Sequence, residues 1–194
     1  NAYLILDKKL KSDLSERTIH VLKVWEDFQK HIDKTKLGFP IWGDYFKNPP
    51  TSDMPDWKKE FVIKNNLLYK RNRDFIDYWL RKNSYFVDFT ASERKFEWEA
   101  GNKISSVFDG LIQFRPSGIR VKKPDVFPTL VAIVQRPIIG KFKRYISVKE
   151  GQKLQSFNKK FSFGNESEQV AFKQLGNSAN VKVIKEVAKK LFVY

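Results

Sequence analysis

The 194-residue chain has no cysteine, only two histidines and only one methionine. The absence of cysteine excludes a disulfide scaffold, a thiolate metal site and a cysteine nucleophile supplied by these residues. His20 and His31 stand eleven residues apart, which argues against a histidine-rich metal site. No stretch approaches the roughly 18 consecutive apolar residues that span a bilayer. The opening Asn1-Ala-Tyr-Leu-Ile-Leu-Asp7 has neither a basic head nor a small-residue cleavage site, so it does not read as a signal peptide. Gly-x-Ser-x-Gly is missing, and no glycine-rich nucleotide loop follows a strand pattern. Pro55-Asp56 and Pro124-Asp125 could open a nuclease motif, but neither is followed by an acid-x-Lys pair in a strand context.

What is present is positive charge on a globular composition. Lys and Arg number 37 against 22 acids, a net charge of +15, with 41% apolar and 15% aromatic residues and a pI near 9.8. An acidic partner is expected, nucleic acid before an anionic membrane surface. The length suits one domain or slightly more.

Residues 14–32 read as a helix, with Leu14, Leu22, Trp25, Phe28 and Ile32 at helical spacing and Ser12, Asp13 and Ser15 as caps. A second helical pattern runs over 57–82, with Trp57, Phe61, Leu68, Phe75, Ile76 and Trp79 on one face. It is one helix or two broken near Asn65-Asn66. Trp42, Trp57, Trp79 and Trp98 read as core residues. From Phe86 to Ser147 the chain is rich in β-branched and aromatic residues. Leu111–Phe114 and Ile119–Val121 flank Arg115-Pro-Ser-Gly118, which predicts a hairpin. Thr129–Val134 reads as a buried strand, and Pro137–Gly140 ends it or starts another. Ser147-Val-Lys-Glu150 is a capping box, opening a short helix that buries Leu154 and Phe157. The last helix runs from Val181 to about Leu191, with Val181, Ile184, Val187, Ala188 and Leu191 on one face and lysines opposite.

The charge is concentrated. Between Arg115 and Lys149 lie nine basic residues and a single acid, Asp125. Such a block on turn-rich β sequence points to phosphate contacts, with a solubilising surface as the alternative. Arg115 and Arg120 bracket a turn in which Gly118 permits close approach of a ligand. An arginine fork there suits a guanine edge or a phosphate.

Three stretches resemble the C-terminal part of bacterial DNA (cytosine-5-)-methyltransferases of restriction–modification type. Phe172-Lys-Gln-Leu-Gly-Asn-Ser178, with the helix after it, is similar to the family's last motif. Arg144-Tyr-Ile-Ser-Val-Lys-Glu150 through Phe157 is similar to the penultimate one. Phe114–Ile133 looks like the target-recognition segment of one subgroup, as do Gly38–Phe46, Asp56–Lys59 and Arg94–Trp98. The departures are Lys149 where the family has Arg, Gly151-Gln152 for small residues and Ala179 for Val. The family's S-adenosylmethionine loop, Pro-Cys nucleophile loop, Glu-Asn-Val motif and Arg-x-Arg strand are not in this sequence. The family's reaction needs a thiolate to attack the flipped cytosine.

The resemblance implies an α+β fold. Residues 1–143 would form a mixed helical and β-rich recognition domain. Residues 144–194 would carry the last two motifs, ending in a helix that docks on a separate catalytic α/β domain. It implies duplex DNA and a catalytic methyltransferase half as partners, with this chain inactive alone, and a bacterial cytoplasmic, nucleoid-associated setting. DNA contacts are expected from Arg115, Ser117, Gly118, Arg120, Lys122 and Lys123. Gln135, Arg136 and Arg144 follow, Arg144 being equally readable as a structural ion-pair partner. Asn177 and Ser178 would help close the S-adenosylmethionine pocket. Without the family they read as caps of the last helix. The other functional reading is a stand-alone, non-catalytic DNA-binding protein that kept the recognition fold.

Overall fold

A computed structural model describes residues 6–7, 10–33, 37–132 and 135–192. The opening stretch through Ile5 and the Ile133–Val134 end of the expected strand lie outside these residues. The fold is α+β, as the sequence predicts. In chain order the elements are α1 (Glu16–His31), β1 (Ile41–Trp42), α2 (Asp56–Arg71), α3 (Arg73–Lys82) and β2 (Lys95–Glu99). There follow β3 (Leu111–Arg115), β4 (Gly118–Lys122), β5 (Ile138–Ile139), β6 (Arg144–Tyr145), α4 (Val148–Leu154), α5 (Glu168–Asn177) and α6 (Val181–Phe192). The six strands form one mixed sheet in the order β1-β2-β4-β3-β5-β6, with β2 and β4 parallel and the other pairs antiparallel.

Alternation along the strands decides what each face does, because directly opposed residues share a face. On one face the cross-strand rows are Ile41, Phe96, Ile119 and Phe114, then Trp98, Val121, Ile112, Ile138 and Tyr145. These apolar rows meet α1 and α3 in the main core. Trp25 of α1 stacks on Phe96 at 4.9 Å, and its indole N–H donates to the Glu93 carbonyl at 2.8 Å. Trp79 of α3 lies 4.8 Å from Phe28 and donates to the Val24 carbonyl. Both indoles are thus buried with their polar atoms satisfied. Truncating Phe28 to Ala would cost about 3–5 kcal/mol.

The opposite face is covered only in part. At its β5–β6 end, Leu111, Ile139 and Ile146 pack with Leu6, Leu130, Phe172 and Leu175 in a second core beneath α4 and α5. The rest of this face carries charged side chains.

Local chemistry explains most boundaries. Ser15 accepts from the Thr18 amide and starts α1. The capping box forms as expected, with Ser147 accepting from the Glu150 N–H and Glu150 from the Ser147 N–H. Leu154 and Phe157 are half-buried against the second core.

Four expectations are corrected. The 57–82 pattern breaks at Asn72, whose φ of −128° leaves the helix and whose side chain donates to the Leu68 carbonyl. Asn65 instead stays inside α2. Its amide accepts from the Trp42 N–H and donates to the carbonyls of Pro40 and Phe61, so a buried polar residue is satisfied without ending the helix. Trp57 is not core but 61% exposed, at the first turn of α2, whose buried residues begin only at Val62. Residues 129–132 are not a strand. Only Leu130 among them is buried, and β5 begins at Ile138. The cap of α6 is Asn180, whose carboxamide oxygen accepts from the Lys182 and Val183 amides, rather than Asn177 or Ser178.

Candidate nucleic-acid interface

The hairpin expected at Arg115–Gly118 forms, with Arg115 directly opposite Gly118 and Pro116-Ser117 exposed at its tip. Gly118 has a φ of +132°, and a Cβ there would fall 2.7 Å from the Lys95 Cβ. Only glycine lets β2 and the hairpin close up at this point.

Three rows cross the polar face of the sheet. The first holds Trp42, Lys95, Gly118 and Arg115, and the second Glu97, Arg120 and Gln113. The third begins with Glu99 and Lys122 and ends in the second core at Leu111, Ile139 and Arg144. The block of positive charge seen in the sequence is therefore interleaved with acids from a distant segment. Glu97 Oε2 lies 2.8 Å from Arg115 Nη2 and 2.9 Å from Arg120 Nε. Glu99 Oε1 lies 2.8 Å from the same Arg120 Nε, and its Oε2 is 3.3 Å from Lys122 Nζ. A groove of ≈530 Å³ adjoins this network, lined by Leu37, Phe39, Pro40, Glu97, Trp98 and Arg120. Trp42, at the β1 end of the first row, lies beside Tyr45 and Phe61.

The remaining expected DNA contacts separate. Lys123 pairs with Asp125 at 2.6 Å just beyond β4, which holds its ammonium above the usual lysine range. Gln135 is half-buried. Arg136 is a packing residue in its surroundings. Its guanidinium lies 4.8 Å from the Tyr145 ring and 5.3 Å from that of Phe172, and it pairs with Glu168 at 2.7 Å. Arg144 is 1% exposed and gives two hydrogen bonds to Glu150 and others to the carbonyls of Asp7 and Tyr145. That is the ion-pair alternative. A guanidinium withdrawn this far has no surface to offer DNA, so the expected Arg144 contact is corrected.

Lys95, Glu97, Glu99 and Trp42, which share the polar face with Arg115, Arg120 and Lys122, are not among the site residues expected from the sequence. The alternation Lys95-Phe-Glu-Trp-Glu99 is itself a half-buried strand signal that would have placed the acids on one face.

The C-terminal corner is a second feature. Gly176 closes the end of α5 against residues 131–132, where a Cβ would fall 2.2 Å from the Val131 carbonyl. Asn177 is exposed, and the Ser178 hydroxyl donates to the Leu175 carbonyl. α6 is tied to the body through its first turn, by Val181 N–H to the Gln155 carbonyl and the Asn180 amide to the Leu154 carbonyl. Along the rest of its surface Val183, Ile184, Val187, Leu191 and Phe192 are exposed, Phe192 to 80%. A contiguous apolar helix face of this kind marks an interaction surface. Among the described residues no helix is long and apolar enough to cross a membrane, and no cluster of three potential metal ligands is gathered.

The model of the C-5 cytosine-specific DNA methylase family matches residues 6–193. Over 138 residues the chain is 35% identical to the type II methyltransferase M.AluI of Cellulosimicrobium cellulans. That alignment covers 71% of this chain and 26% of the relative, so the chain spans about a quarter of the length of the curated relative it matches. No solved structure matches the chain.

Proposed function

The chain belongs to the C-5 cytosine-specific DNA methylase family, and on that premise we propose that it is the target-recognition portion of a DNA (cytosine-5-)-methyltransferase of a restriction–modification system. Residues 1–143 read the duplex, and residues 144–194 carry the last two motifs and join a catalytic half outside this chain. The boundary is one of motifs rather than of packing, since β6 pairs with β5 inside the same sheet.

The observation that carries this reading is the uncovered apolar face of α6 on a body whose other helices are packed. A helix whose interior turns bury nothing is stabilised by little besides propensity, and a partner surface of matching apolarity would complete it. The groove beside Arg120 is the second support. The rows of Lys95, Arg115, Arg120 and Lys122 give phosphate-binding charge, with Ser117 at the tip of the adjoining hairpin and Gly118 next to it in β4.

The division of labour follows from the residues present. S-adenosylmethionine supplies the methyl group, and the thiolate that attacks cytosine comes from the catalytic half, since this sequence has no cysteine. Asn177 fits a place at the rim of the cofactor pocket, because its carboxamide is exposed at the same corner as α6. Ser178, bonded to the end of α5, holds that corner in shape.

The test is methyl transfer from labelled S-adenosylmethionine to duplex DNA. The chain alone is expected to transfer none, and its mixture with the matched catalytic half is expected to methylate one cytosine context. Transfer by the chain alone would overturn the reading. Silence of the mixture would favour the stand-alone DNA-binding protein.

A further inference from the structure

A carboxylate in the middle of a phosphate-binding face calls for a reason. It repels the ligand and adds nothing to non-specific affinity. Glu97 is such a group. It lies on β2, yet one of its oxygens is shared by Arg115 from β3 and Arg120 from β4. The three side chains are only 16%, 15% and 28% exposed, so the pairs are better shielded than ordinary surface ion pairs.

The geometry at Arg120 is directional. Glu97 and Glu99 both engage its Nε. The Nη pair, the planar fork that matches a guanine edge or a phosphate, makes no hydrogen bond among the described residues. Arg120 also lines the ≈530 Å³ groove. Arginine has many rotamers, and fixing them before the ligand arrives removes an entropic cost of binding in one pose. A fork held from its Nε side can discriminate between base edges, whereas a free one settles on the nearest phosphate.

We propose that Glu97 is a positioning residue for sequence choice, holding Arg120 in a fixed pose toward the bases while opposing DNA binding in general. The proposal rests on the recognition reading above and deepens it. The two effects have opposite signs, which separates them from a role in the fold alone.

The experiment uses the chain and a pool of duplexes with a randomised centre, at one fixed salt concentration. Total affinity for the unselected pool and the enrichment of bound sequences are both measured. Wild type is expected to enrich a subset. E97Q is expected to bind the unselected pool at least as tightly while its enrichment falls roughly tenfold, the scale of one lost bidentate base contact. E97D, which keeps the charge with a shorter reach, is expected to combine wild-type total affinity with intermediate enrichment. Unchanged enrichment in E97Q contradicts the proposal alone. So does a parallel fall of enrichment, total affinity and melting temperature, which would make Glu97 a structural residue. A wild-type chain that enriches nothing contradicts the recognition reading, and the proposal with it.

Discussion

Arg144 and Glu150 form a two-pronged ion pair inside the protein, with Nη1 to Oε2 at 2.9 Å and Nη2 to Oε1 at 2.7 Å. Glu150 also accepts from the Ser147 and Asp7 amides, and Arg144 donates to the Asp7 carbonyl. One pair thus joins β6, the start of α4 and the chain near residue 7. Removing one partner strands the other as a buried charge. Glu150→Gln is expected to lower unfolding free energy by about 3–5 kcal/mol, read as a shift of the urea midpoint at constant m-value. An unchanged midpoint would refute the structural role.

The same carboxylate predicts an acid limit. Burial pushes its pKa up, but Arg144 and the amides of Ser147 and Asp7 outweigh burial and hold it below the usual glutamate range. A depressed folded pKa means that the stabilisation is complete at neutral pH and is lost as pH falls through the folded value. Stability measured on lowering the pH below the ordinary glutamate range should fall for wild type. It should fall less steeply for Glu150→Gln, which has no proton to gain. Equal slopes would contradict the assignment.

Gly176 permits a contact that no side chain can. A Cβ would sit 2.2 Å from the Val131 carbonyl and 2.5 Å from the Ala132 nitrogen, and backbone cannot step aside as a flexible side chain does. Gly176→Ala should destabilise by about 1–3 kcal/mol, the cost of overpacking, with a lower melting temperature. A neutral result would mean that α5 is free to shift from this segment.

The outer face of α6 should behave in the opposite way. Val187 and Leu191 are at least half exposed, so Val187→Lys and Leu191→Glu should change the stability of the chain alone by less than about 0.5 kcal/mol. They should abolish methyl transfer in the mixture with the catalytic half. Normal activity of the mixture would place the docking surface elsewhere.

What the sequence makes legible is what neighbours in the chain decide. The hairpin around Pro116-Ser117, the Ser147–Glu150 capping box and the extents of α1 and α6 all follow from residues within one turn of each other. The break in 57–82 was misplaced because Asn65 is satisfied by Trp42 and Pro40, more than twenty residues away. The charge block was legible as charge but not as a network, since Glu97 and Glu99 reach Arg115, Arg120 and Lys122 only through strand pairing. Arg136 was legible as a basic residue but not as a packed one, for the same reason. Its aromatic neighbours Tyr145 and Phe172 and its partner Glu168 come from later elements.

The central claim is that the open face of this sheet chooses the DNA site, and Arg120 is where it is most exposed to test. The measurement is bisulfite sequencing of duplex DNA methylated by the chain together with its catalytic half, comparing wild type with Arg120→Ala. The account predicts that wild type marks cytosine in one sequence context and that Arg120→Ala broadens or abolishes that choice. An unchanged context, with methylation merely slower at every site, would make Arg120 a phosphate contact and would contradict the claim.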